Sequence, residues 1–284
     1  MKRFNSRLLP KFLRNDNEII PVVRLHGMIA AGGAPMRQNL SLAGVAGVLE
    51  KAFSIPAPAV AISINSPGGS PVQSRLIYKR IRDLAQEKQR AVLVYVEDVA
   101  ASGGYMIACA ADEIYADHAS IVGSIGVVSA SFGFQELIAR IGVERRVHTA
   151  GENKAMLDPF KPENPEDVAR LKGLQRKIHE VFVDLVRSRR GGKLNDSYED
   201  LFSGAFWVGA EAVDLGLVDG LGDIRTILRQ RFGDKVQFRM IEPARRPLLG
   251  RLLGRRPLTS GSLIDPGEVV GTLEERAAWA RLGL

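Results

Sequence analysis

The sequence has a single cysteine in 284 residues, Cys109, so no disulfide can form within one chain. Cys109 lies in the apolar segment Met106-Ile-Ala-Cys-Ala-Ala111 and reads as a small buried hydrophobe. A reducing compartment suits that usage. No H-E-x-x-H pattern and no Cys/His cluster is present, which argues against a zinc site. No run approaches the ~20 apolar residues that a membrane span needs. Met1 to Arg14 is basic, but no apolar segment of secretory-leader length follows it. These absences lead us to expect a cytoplasmic protein, with a peripheral position at the inner membrane face left open. Tryptophan is scarce, at two residues, and no nucleic-acid recognition motif appears, so we expect no nucleic-acid partner.

Acidic residues are missing from two stretches. Lys2, Arg3, Arg7, Lys11 and Arg14 precede the first acid, Asp16. Arg245, Arg246, Arg251, Arg255 and Arg256 form a second acid-free cluster. The chain carries a net charge of +7, so these ten residues account for all of its basic excess. Both stretches mix the charges with Leu, Phe and Pro. They fit an anionic membrane surface, solvated ends, or arms on a neighbouring subunit. We therefore divide the chain into a basic tail (1–18), a folded domain (19–241) and a basic, apolar extension (242–284) that the sequence pattern does not fold.

What is present is an alternation of apolar runs and helix-period segments. Ile19–Leu25, Ala59–Ile64 and Ala91–Val96 read as strands. Leu42–Phe53 reads as a helix, as does a segment from Ser70, a good N-cap, and Pro71 to about Gln86. Strand, helix, strand, helix, strand predicts an α/β fold with parallel pairing and right-handed crossovers. Farther on, Glu113–Ala116, stretches within Ile121–Ser131, Glu144–Thr149 and Lys235–Ile241 are expected strands. Phe134–Ile141, Pro165–Arg189, Gly209–Leu215 and Asp223–Phe232 are expected helices. The long one carries Leu171, Leu174, Ile178, Val181, Phe182, Leu185 and Val186 as a continuous apolar face.

Sites in such sheets form at the carboxyl ends of strands. Two small-residue turns fall there, Asn65-Ser-Pro-Gly-Gly69 and Ala101-Ser-Gly-Gly104. Ser102 stands at a strand-to-helix turn whose neighbours allow a sharp bend and close approach of a substrate backbone. That is how a nucleophile elbow works, although the usual G-x-S-x-G spelling is absent. The same residues also suit a serine that merely caps a helix ahead of packing glycines. A serine needs a base to attack a carbonyl. His26, His118, His148 and His179 show no acid–histidine arrangement and read as structural or solvent-facing. Lys154, in Gly151-Glu-Asn-Lys154, is the other basic candidate. A lysine acts as a base only when neutral, which requires burial. Taken alone, Lys154 reads as a solvated surface residue. The amides of the Gly68–Gly69 turn and of Gly103 are candidate oxyanion donors.

Taken together, Asn65-Ser-Pro-Gly-Gly69, Asp98-Val-Ala-Ala-Ser-Gly-Gly-Tyr105, Gly123-Ser-Ile-Gly-Val127, Gly151-x-x-Lys154 with Pro159-Phe160, and Gly216-Leu-Val-Asp219 resemble the signal peptide peptidase A (SppA) family of Ser/Lys peptidases. The resemblance runs from about Ile19 to Ile241. It implies the ClpP/crotonase fold of repeated β-β-α units. It implies Ser102 as nucleophile, Lys154 as general base, the Gly69 and Gly103 amides as oxyanion hole, and Ser124 as the residue that orients the lysine. It implies no cofactor, peptide or protein substrates, and a ring-like homo-oligomer whose sites are shared between subunits. Ser63, Ala155, Ala205 and Val208 depart from the family's usual residues without removing a catalytic group. The membrane span of typical members is absent, so the sequence looks like a short form. Its expected substrates are extended apolar peptides, such as signal-peptide remnants or membrane-protein segments. Two rival readings stand beside it: a crotonase-like acyl-CoA enzyme, and a catalytically silent membrane scaffold.

Overall fold

The computed structural model describes residues 18–32, 39–195, 197–242 and 266–284. The basic clusters at residues 2–14 and 245–256 lie outside them. The first three apolar runs become β1 (Ile19–His26), β2 (Ala59–Ser66) and β3 (Ala91–Ala101), which pair in parallel, β1 with β2 and β2 with β3. Their crossovers are α1 (Leu42–Ser54) and α2 (Pro71–Lys88). Ser41 caps α1, its side chain accepting from the Gly44 amide, and Ser70 caps α2 by accepting from Gln73. Each cap satisfies an amide that a helix's first turn leaves without an internal partner.

Beyond β3 come α3 (Gly103–Ala108), β4 (Glu113–Ala116) and β5 (Ile121–Gly123), then α4 (Gln135–Arg140) and α5 (Pro165–Arg190). β6 (Phe206–Val208), α6 (Gly209–Asp214), β7 (Gly220–Leu221), α7 (Ile224–Phe232), β8 (Gln237–Met240) and α8 (Pro266–Ala280) complete the described elements. The main path of the sheet is β6-β5-β3-β2-β1-β8, and β4 joins β3 to β7. Every pairing is parallel except β5 with β6. The expected α/β architecture with a parallel sheet and crossover helices is thus the observed one.

One face of the sheet packs on α1, α2 and α3, where Leu49, Phe53, Ile77, Ile81 and Tyr105 are buried with Val60, Ile62 and Val94. Side chains of this size are worth about 1.5–3 kcal/mol each when fully buried. The other face packs Leu93 and Tyr95 against Leu228 of α7. A third cluster joins Trp279 and Leu282, at the end of α8 and just beyond it, to Val99, Ala101 and Ile121. Cys109 is fully buried, as expected.

Three expectations need correction. Of Ile121–Ser131 only Ile121–Gly123 is strand, and Glu144–Thr149 forms none. Residues 143–149 are almost wholly exposed and no ladder among the described residues reaches them, so local strand propensity finds no partner there to satisfy its backbone groups. The long helix is buried on only part of its apolar face. Phe182, Leu185 and Val186 are covered, whereas Leu174, Ile178 and Val181 are 52%, 40% and 48% exposed. No residue from 126 to 181 is buried.

Candidate active site

β2 and β3 run side by side and end together, which brings the two small-residue turns into contact. β3 is longer than its apolar run because pairing shifts from Ile64↔Val96 to Ser66↔Ala100. The Asn65 side chain bridges that irregularity. Its Oδ1 accepts from the Val99 amide at 3.2 Å, and its Nδ2 donates to Asp98 Oδ2 at 2.6 Å. Sequence reading took Asn65 only as the first letter of a motif, yet it holds the strand that delivers Ser102.

Ser102 sits at the N-cap of α3 with φ 52° and ψ −120°, and its side chain makes no capping hydrogen bond. The hydroxyl is thus not taken up in capping the helix, although Ser102 holds the N-cap position. A non-glycine residue at positive φ is uncommon and costs roughly 1–3 kcal/mol, so the surroundings must enforce it. They do so through the Ser102 amide, which donates to the Gly123 carbonyl at 2.8 Å, and the Ser102 carbonyl, which accepts from Met106 at 3.0 Å.

The segment after β1 braces the other turn. The Ile29 amide donates to the Gly68 carbonyl at 2.9 Å, and the Ser70 amide donates to the Ile29 carbonyl at 2.7 Å. In a parallel bridge of this kind the middle residue's own N–H faces the opposite side, so the Gly69 amide points away from Ile29. A Cβ at position 69 would lie 2.1 Å from the Ile29 carbonyl oxygen, so only glycine fits. The Gly103 amide, at the first position of α3, has no intrahelical acceptor. Among the described residues neither amide makes a backbone hydrogen bond outside helices and strands.

Ser124 is a second serine at positive φ, also 52°. Its amide donates to Ala205 at 2.7 Å, which ties it to the chain entering β6. The next carbonyl, of Ile125, accepts from His179 Nε2 of α5 at 3.0 Å. His179 therefore anchors α5 to this segment, a role its sequence position did not signal. His26 is likewise structural, with Nε2 3.0 Å from Ser63 Oγ and 3.4 Å from Glu97 Oε1. Burial lowers its pKa, Glu97 and Asp98 oppose the shift, and Arg24 adds to it. His118 and His148 are exposed.

Lys154 is not joined to this group. It stands exposed in the turn after Gly151, whose carbonyl accepts from the Lys154 amide at 3.1 Å. Among the described residues neither Ser102 Oγ nor Lys154 Nζ has a side-chain hydrogen bond. The lysine turn belongs to an outlying segment held by few contacts. Phe134 donates its amide to Pro159 at 2.6 Å, Phe134 and Phe160 rings lie 5.7 Å apart, and Arg145 reaches Asp158 at 3.0 Å. Among the described residues no group of three or more His, Cys, Asp or Glu side chains is placed to hold a metal ion.

The family model described as Peptidase family S49 matches residues 84–235, more than half of the chain. The chain belongs to peptidase family S49. A putative protease of Synechocystis is 30% identical over 249 residues, covering 86% of both chains. The chloroplastic serine protease SPPA of Arabidopsis thaliana is 30% identical over 217 residues, 75% of this chain and 32% of that protein. The expected kinship with SppA-type peptidases is borne out. A protein of Brucella abortus named Na(+)/H(+) antiporter NhaA is 61% identical over 288 residues, which is 98% of this chain but 39% of that protein. The S49 chain thus spans well under half the length of that relative. Among solved structures, a 1510-N membrane-bound stomatin-specific protease overlays with a TM-score of 0.47 at 17% identity, covering 80% of this chain and 99% of that one.

Proposed function

We propose that this S49 peptidase is a serine endopeptidase with Ser102 as nucleophile and Lys154, supplied by a neighbouring copy, as general base. The observation that carries the reading is the Ser102 hydroxyl itself. It is half-exposed at a strained turn, does not cap its helix, and lies beside two outward amides. Ser102 Oγ attacks the peptide carbonyl carbon while a neutral Lys154 takes its proton. The carbonyl oxygen becomes an oxyanion that accepts from the Gly69 and Gly103 amides, donors already oriented before the charge develops. The lysine then protonates the leaving amine. Water, deprotonated by the same lysine, hydrolyses the ester and restores Ser102. The Ser124 hydroxyl orients the lysine.

The sharing of the site between copies is supported by what one chain leaves uncovered. Lys154 is exposed, and a neutral lysine requires burial. The segment around it exposes Val128, Phe132, Leu137, Ile141 and Val143 at 52–78%. Exposed apolar side chains gathered in one segment suit an interaction surface. A second copy covering it would bury the lysine turn and complete the site at once. The substrate we propose is an extended apolar peptide, from a signal-peptide remnant or a membrane-protein segment. A relative carries the name putative signal peptide peptidase, which supports a membrane-derived substrate. No helix among the described residues is long and apolar enough to cross a membrane. Contact with an anionic lipid surface through the basic tails is a proposal from sequence alone, checked by vesicle flotation with and without residues 1–14.

The deciding experiment mixes two inactive proteins. Ser102→Ala and Lys154→Ala chains, unfolded together and reassembled, regain partial peptidase activity if the site is shared. Mixed oligomers shown by two-tag co-purification to have formed, yet without activity, rule the shared site out. Fluorophosphonate labelling of Ser102 separates the peptidase from an acyl-CoA enzyme of similar fold, which has no need of a reactive serine.

A further inference from the structure

Just past Ser124 the chain forms an open cleft of about 490 Å³ whose charge the proposed mechanism leaves unused. Its volume falls in the roughly 300–1,000 Å³ range of small-ligand sites. One side is the backbone at Gly126, with Ser203 beside it, and the other is α5, which contributes Lys172, Gln175, Arg176 and His179. Lys172, Arg176 and His179 follow one another at spacings of four and three, so they share one helix face. Among the described residues no carboxylate lines the cleft, and neither Lys172 nor Arg176 forms an ion pair. Two uncompensated cations over a concave surface suit an anion. The guanidinium offers a fork that matches a carboxylate, and the ammonium adds a point charge.

The cleft is fixed in place relative to the reactive turn. A carbonyl oxygen only accepts, so the bond from His179 to Ile125 places the ring hydrogen on Nε2 and pins this face of α5 to the peptide following Ser124. The preceding residue, Gly123, accepts from the Ser102 amide at 2.8 Å. Gly126 is two residues beyond Ser124 and donates its amide back to the Ser124 carbonyl at 2.9 Å, a tight turn that holds the cleft close to that residue. A peptide lying across Ser102 would reach the cleft within a few residues of its scissile bond.

We infer that this cleft is a specificity subsite that receives a carboxylate of the peptide substrate. The inference rests on the peptidase reading and adds a substrate preference to it: an apolar stretch flanked by an acid. Two sources share that chemistry, an Asp or Glu side chain and a free C-terminus.

The test separates the subsite from the catalytic reading by measuring binding first. Ser102→Ala protein is titrated, by fluorescence anisotropy, with a blocked apolar octapeptide carrying one Glu near its centre. The same peptide with Gln is the neutral comparison, and the Gln peptide with a free C-terminus is the third arm. One carboxylate form should bind about tenfold tighter than the neutral peptide at low salt, the yield of a charge-assisted hydrogen bond. Which arm gains tells whether a side chain or a C-terminus is received. Adding Lys172→Gln and Arg176→Gln should erase the difference while neutral-peptide binding, oligomer size and melting temperature hold. Equal binding of the three peptides, no binding of either carboxylate form, or a preference that survives the double variant overturns the inference. A double variant whose oligomer falls apart also overturns it, because the cleft is then an interface between copies. Turnover of the neutral peptide by the Ser102 protein tests the peptidase reading separately, and its failure leaves the binding result to judge the subsite alone.

Discussion

Gly68 is pressed against Ser102 so closely that a Cβ at position 68 would lie 2.8 Å from the Ser102 Cβ and 2.9 Å from the Gly103 nitrogen. Its φ of 104° would strain any other residue as well. Gly68→Ala must therefore push the two turns apart, moving one proposed oxyanion donor relative to the other. We expect hydrolysis to drop by about a hundredfold or more, the scale of losing one oxyanion donor. Stability should fall by about 1–3 kcal/mol. Single-turnover kinetics and urea denaturation check the pair, and a Gly68→Ala protein with unchanged turnover would contradict the placement.

Ser102 itself sits where glycine would be relaxed. Ser102→Gly should remove the roughly 1–3 kcal/mol of backbone strain at the cost of about 0.5–1 kcal/mol in chain entropy. The expected result is a more stable protein with no peptidase activity. Ser102→Ala keeps the strain and should lose activity by on the order of a thousandfold without gaining stability. Thermal melts of the three proteins, with Ser102→Gly uppermost, are the check.

Asp219 anchors the far end of the sheet. Its Oδ2 lies 2.6 Å from Nη1 of Arg190, a residue only 3% exposed, and accepts from the Ile114 amide at 2.7 Å. Lys193 also bonds it. Burial alone would raise this carboxyl's pKa, but the hydrogen bonds from Arg190 and Lys193 outweigh it and hold the value below the usual range. The group thus contributes stability that is complete above its ordinary pKa of 3.8 and is lost as pH falls through the lower folded value. Asp219→Asn leaves a buried guanidinium without its counter-charge, at a cost of about 3–5 kcal/mol. A urea midpoint at neutral pH within error of the parent protein would show that the pair carries no such weight.

His26 acts in the same direction but at a higher pH. Burial lowers its folded pKa from the ordinary 6.5, with Arg24 adding to the shift while Glu97 and Asp98 oppose it. The unfolded chain then binds a proton that the folded chain refuses. Stability is full above pH 6.5 and falls as pH drops from there through the lower folded value. Melting temperatures measured from pH 7.5 to 5 should fall more steeply for the parent protein than for His26→Gln. Parallel curves would mean that His26 takes up its proton as readily folded as unfolded.

The sequence by itself determined the order of the first three strands and their crossover helices. A parallel sheet covered on both faces demands continuous apolar runs, and Ala59–Ile64 and Ala91–Val96, short and bounded by turn residues, suit it. It also determined that the Gly68–Gly69 turn and Ser102 would meet, because parallel neighbours end at the same edge. Only the tertiary structure decided the rest, because pairing and burial depend on partners far away in the chain. Glu144–Thr149 has strand propensity but, among the described residues, no strand to pair with. Leu174 and Phe182 belong to one apolar stripe, yet the core covers only the second. The Asn65 carboxamide and the His179 ring acquire their roles across sequence separations of 34 and 54. Ser102 and Lys154 show the same limit most sharply. A motif can place both residues in one chain, but only the folded chain shows the serine held at a strained turn and the lysine left exposed, where a neighbour has room to bury it.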